Sequence, residues 1–153
     1  MNKLPAPNML AAAFLVLVAA FSSQSFAKPA IYTGYFSNVA LSGYDTVAYF
    51  NAGKPVKGNK HYSTQYMDTQ WHFNSQENLN AFIATPEKYA PQYGGYCAWA
   101  VANNSTAKGD PKQWAIHEAK LYLNYNAEIR QKWFSDKSAL IIKANAFWPK
   151  VLK

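Results

Sequence analysis

The chain has 153 residues, with 15 Lys and Arg against 8 Asp and Glu, three His and a single Cys. That length favours one domain, and half the residues are apolar, which excludes general disorder. A lone Cys excludes an intrachain disulfide framework and a cysteine-rich structural zinc site.

The first stretch has the three-part layout of a secretory signal peptide. Lys3 supplies the positive start, Met9 to Phe21 form an apolar run too short to span a bilayer comfortably, and Ser25-Phe26-Ala27 offers a small-x-small cleavage site. The expected mature chain is Lys28 to Lys153, without a transmembrane segment, exported and periplasmic or secreted. Without Lys3 it keeps 14 basic against 8 acidic groups, a formal charge of +6. Nucleic acid is excluded as a partner: Arg occurs only at Arg130, whereas phosphate and base readout lean on Arg, and the Lys residues are scattered.

Asn51 to Gly58 carry turn chemistry and predict an exposed loop. His61–Tyr66 and Gln70–Asn74 alternate in the strand manner and predict a hairpin turning at Asp68-Thr69. In that register Gln65 faces His72 and Ser63 faces Asn74. Tyr62, Tyr66, Trp71 and Phe73 then form the core face, while His61 and His72 lie about 13 Å apart, too far to share an ion. His72 is expected to be an exposed strand residue. Asn74 or Ser75 caps a helix carrying Glu77 in its first turn and Leu79, Phe82 and Ile83 on one face, ended by Thr85-Pro86.

Gly94-Gly95 opens an apolar segment, Tyr96 to Ala102, that predicts a buried helix with Cys97 in its first turn. Asn103 to Pro111 predict a polar loop. Trp114–His117 and Lys120–Asn124 predict a second hairpin about Glu118-Ala119, with His117 solvent-facing. Leu140, Ile141, Ala144, Phe147 and Trp148 follow helical spacing up to Pro149. No internal repeat is legible. The expectation is a small α+β domain: short β-hairpins packed with several short helices about one aromatic core, to which Tyr96, Trp99, Val101, Tyr122 and Trp148 also contribute.

Ser42-Gly43-Tyr44-Asp45-Thr46-Val47-Ala48-Tyr49-Phe50, Trp71-His72-Phe73-Asn74-Ser75 and Ala84-Thr85-Pro86-Glu87-Lys88-Tyr89 together resemble the YHS domain. The likeness is nearest to its exported, single-domain branch, whose members also carry segments like Gly94-Gly95-Tyr96-Cys97-Ala98-Trp99 and Leu121-Tyr122-Leu123-Asn124-Tyr125-Asn126. It takes in about Phe36 to Leu152. The resemblance implies metal handling, since YHS and related domains on heavy-metal pumps and sensors ligate through cysteines. Here those positions fall on Ala48, Asn74 and Asn78, so the usual thiolate site is absent.

Cys97 is the one remaining soft ligand or nucleophile. It is either a packing residue or, at a helix start, a thiolate favoured by the positive dipole end. Asp45 and Tyr44 are the residues expected to converge on it as further ligands; otherwise Asp45 forms a turn ahead of Thr46. A copper or zinc ion is the cofactor such a site would take. No catalytic spacing, phosphate-cradling loop or dinucleotide fingerprint is present. Three functions stay open: an exported, non-enzymatic, metal-associated protein; a periplasmic binding module for a small molecule, glycan or protein; and a thiol enzyme using Cys97.

Overall fold

The computed structural model describes residues 27–153. The signal-peptide expectation lies outside the described residues except at Ala27. Six helices and two antiparallel hairpins follow one another as α1 (Ala48–Asn51), β1 (Asn59–Tyr66), β2 (Thr69–Phe73), α2 (Gln76–Ala84), α3 (Pro86–Tyr89), α4 (Ala98–Ala102), β3 (Asp110–His117), β4 (Lys120–Asn124), α5 (Ala127–Ser135) and α6 (Lys137–Phe147). The α+β expectation holds. Among the described residues no helix is long and apolar enough to cross a membrane.

This order contains a duplication that the sequence conceals. A left-handed turn at Leu41-Ser42-Gly43 leads through Tyr44-Asp45 into α1, and a second one at Tyr93-Gly94-Gly95 leads through Tyr96-Cys97 into α4. Tyr44 bridges to Lys57 as Tyr96 bridges to Lys108. The Asp45 N–H donates to the Val56 carbonyl at 2.8 Å, and the Cys97 N–H to that of Ala107 at 2.9 Å. Hairpin β1–β2 then corresponds to β3–β4, with an irregularity at the same place, Asn59 to Ser63 in one and Asp110 to Trp114 in the other. Ser75 caps α2 by accepting from the Asn78 N–H; Asn126 caps α5 by accepting from that of Ile129. Each cap satisfies one of the orphan donors at a helix start. Few side chains are shared between the two units, so the repeat is a backbone property and escaped the sequence reading.

Several expectations are corrected in detail. The first hairpin turns at Met67-Asp68, both with positive φ, so Ser63 faces His72 and Tyr66 faces Thr69. The right-handed twist of paired strands favours such a two-residue turn. The second hairpin turns at Glu118-Ala119 as expected. The apolar segment yields a helix only over Ala98–Ala102; Tyr96 is extended and Cys97 is the N-cap. Strand β3 begins at Asp110, inside the stretch expected to be loop, and α1, α3 and α5 were not foreseen. Ile83 is exposed, leaving Leu79 and Phe82 as the buried face of α2.

Two cores replace the expected one. The first gathers Tyr49, Trp71, Phe73, Leu79 and Phe82, with Tyr62 and Tyr66 half-buried against it. The second gathers Tyr93, Tyr96, Val101, Tyr122, Trp133 and Leu140, with Trp99 and Trp148 packed against it. Strand β4 joins them because alternate side chains of a strand point to opposite faces: Leu121 and Leu123 enter the first core and Tyr122 the second.

Candidate functional site

Asp45 is fully buried, and its carboxylate is enclosed by donors. Oδ1 accepts from the N–H of Val47 at 2.9 Å and of Ala48 at 3.2 Å; Oδ2 accepts from the Asn74 N–H at 2.9 Å and from Asn78 Nδ2 at 2.7 Å. Asp45 therefore acts as a structural anchor that ties the start of α1 to the end of β2 and to α2. Thr46, beside it, donates its hydroxyl to the Tyr89 carbonyl and closes the same unit.

Cys97 holds the equivalent place in the second unit. The backbone N–H groups of Ala100, Tyr125 and Trp99, the counterparts of Ala48, Asn74 and Val47, act to favour its thiolate. Burial pushes the thiol pKa up, and these three donors oppose it. The S–H lies 3.8 Å from Asn124 Oδ1, which also accepts from the Trp99 N–H at 3.3 Å.

The three expected metal residues, Cys97, Asp45 and Tyr44, are placed as follows. Asp45 and Cys97 occupy corresponding nests in different units and share no hydrogen-bond partner. Tyr44 is half-buried with Lys57 Nζ 4.4 Å above its ring. Among the described residues no group of three or more His, Cys, Asp or Glu side chains is placed to hold an ion. His72 is half-buried rather than exposed, since Gly43 packs on its ring and Gly58 on its backbone. Its Nε2 is buried without a partner, and desolvation with the nearby Lys57 charge lowers its pKa. His61 is exposed, and His117 is half-buried beside the second turn, 3.8 Å from Glu118 Oε1.

A cleft of about 520 Å³ opens between the N-terminal segment, Tyr96, Thr106 to Lys108 and Tyr125. One wall is the N-terminal segment, held by the Lys28 N–H on the Leu152 carbonyl at 2.7 Å and the Tyr32 N–H on the Gly94 carbonyl at 2.9 Å. Gly94 is required at this crossing: its φ is +60°, and a Cβ there would stand 1.8 Å from the Ala30 carbonyl oxygen. Tyr32 and Tyr96 meet edge to face with centroids 5.3 Å apart, and the Tyr96 hydroxyl donates to the Pro29 carbonyl at 3.0 Å. Tyr35, 99% exposed, and Tyr125 add two more rings.

Lys28 and Lys108 are the charged residues of the lining, and no carboxylate joins them. Lys28 Nζ donates to Thr106 Oγ1 at 2.7 Å, and Lys108 Nζ lies 5.5 Å from the centroid of the Tyr125 ring. Tyr96, Tyr125 and Ala107 line the cleft and also flank Cys97 through the chain or its hydrogen bonds. Tyr96 stood among the expected core residues and Tyr125 within a segment of the family resemblance, but the sequence assigned no cleft to any of these residues. The available signal was tyrosines and lysines about Gly34, Tyr96 and Lys108, but only the crossing at Gly94 brings them together.

Fold and site define a small α+β domain built from two like units, each with a buried anchor at a helix start. Residues 47–93 match the family model described as the YHS domain, so the chain carries a YHS domain in that stretch. The match covers most of the first unit and is narrower than the span from Phe36 to Leu152 that the resemblance takes in; the second unit repeats the same backbone beyond it. No curated protein and no solved structure matches the chain.

Proposed function

We propose that this YHS protein is an exported, non-enzymatic binding module. Its ligand is a small molecule with a flat or cyclic apolar body and an anionic group. The cleft carries this reading. Ligand pockets are concave and mostly apolar with a few placed polar groups, and about 300–1,000 Å³ is the usual size. Tyrosine rings offer stacking faces, while Lys28 and Lys108, with no carboxylate in the lining, favour negative charge.

Calorimetric titration with aromatic carboxylates, sugar phosphates and neutral sugars tests it. Anionic ring compounds should bind, neutral sugars should not, and the Tyr35→Ala, Lys108→Ala double variant should lose the signal. Silence across the panel, or undiminished binding by the double variant, overturns the reading. The soft-metal role implied by the family resemblance rests on Cys97 alone among the expected ligands. Equal copper(I) uptake by wild type and Cys97→Ser under reducing conditions removes it.

A further inference from the structure

The two units are alike in backbone and unlike in what fills their anchor. In the first, a carboxylate with two oxygens takes up four donors. In the second, a sulfur takes the corresponding place and a buried donor beside it has no partner: Asn124 is fully buried and its Nδ2 makes no hydrogen bond, while the backbone of Ala100, Tyr125 and Trp99 favours negative charge at the sulfur. The same amide touches the sulfur through Oδ1 at 3.8 Å and holds the Trp99 N–H only at 3.3 Å. The nest therefore has the donors of a carboxylate site and lacks the oxygens.

We propose that Cys97 is a modification site, at which a hydroperoxide oxidises the thiol to a sulfinate that occupies the second unit as the Asp45 carboxylate occupies the first. Two steps are required. The sulfur attacks one oxygen of hydrogen peroxide, an S–O bond forms as the O–O bond breaks, the departing hydroxide takes the thiol proton and leaves as water, and sulfenic acid remains on Cys97. A second peroxide repeats this to give the sulfinic acid, which ionises. Each peroxide is reduced by two electrons and the sulfur is oxidised by the same number. No second Cys is present in the chain to divert the sulfenic acid into an internal disulfide. The sulfinate oxygens accept from Trp99, Ala100 and Tyr125, and half a turn of the Asn124 amide brings Nδ2 to them, as Asn78 Nδ2 meets Asp45. Cys97 is 1% exposed, so the peroxide enters only as the wall of Tyr96, Ala107 and Tyr125 opens, and the reaction is slow. The modification does not depend on which ligand the cleft takes.

Prolonged treatment of the chain with hydrogen peroxide, followed by tandem mass spectrometry and thermal melting, tests this, with Cys97→Ala treated alongside to subtract methionine oxidation. The expected result is two added oxygens on Cys97 and a melting temperature higher by roughly 3–6 °C, the response to a few new charge-assisted hydrogen bonds. Cys97→Asp should fold and melt above Cys97→Ala, although a carboxylate at a buried position lacking such a nest is strongly destabilising. Absence of the dioxygen adduct, a melting temperature lowered by it, or Cys97→Asp melting below Cys97→Ala overturns the proposal.

Discussion

Asp45 shows how one side chain can hold a small unit together. A buried carboxylate is tolerated when its lone pairs are filled, and here four donors fill them. Asp45→Ala removes the acceptor and leaves the N–H groups of Val47, Ala48 and Asn74 and the Asn78 amide without it. At about 1–3 kcal/mol for each buried donor left unmatched, with partial relaxation, the expected loss is about 3–5 kcal/mol in urea unfolding. Asp45→Asn keeps one acceptor oxygen and should lose less. A loss under about 1 kcal/mol in the alanine variant would mean that the nest is satisfied by water.

The hairpins share a less favourable feature. Both turns place two ordinary residues in the left-handed region, Met67-Asp68 at φ 50° and 56° and Glu118-Ala119 at 49° and 56°. Ala has no side-chain group to stabilise that conformation, and its Cβ crowds the following carbonyl. Ala119→Gly should therefore stabilise the protein by about 0.5–1.5 kcal/mol, because glycine adopts this conformation without the Cβ contact. An unchanged or lowered melting temperature would show that the unfolded chain gains more freedom from glycine than the turn gains relief.

At the scale of the whole molecule, β4 decides whether the duplicated units are independent. Leu121 and Leu123 are buried in the first core, the Tyr49 hydroxyl donates to the Pro111 carbonyl at 2.8 Å, and Tyr49 packs edge to face on Trp114 at 5.2 Å. The first core is thus completed from the second unit. The chain should unfold in a single calorimetric transition, and a fragment of residues 38–91 should show no cooperative melting, since so short a piece without its borrowed leucines buries too little surface. Cooperative melting of the fragment would establish two separable domains.

The sequence by itself determined the α+β class, both hairpins, the capped α2 helix and the YHS kinship, because these depend on local spacing: alternation in Gln70–Asn74, Ser75 ahead of Glu77, and motifs lying within a few residues of one another. It also identified Cys97 as the chain's one thiol. Local spacing did not determine the first hairpin's register: the turn expected at Asp68-Thr69 lies at Met67-Asp68, and no glycine marked the place. It also missed α5, whose Ala127–Ser135 segment is largely polar and buries Trp133. The duplication was hidden because a backbone path is preserved while the anchors changed from carboxylate to thiol. Tertiary structure alone decided that Asp45 and Cys97 hold corresponding places in the two units. It also brought Lys28 and Tyr35 beside Tyr96 and Tyr125 across Gly94. Which residues meet in a site depends on chain crossings, and the energy of a crossing comes from packing against residues far away in sequence.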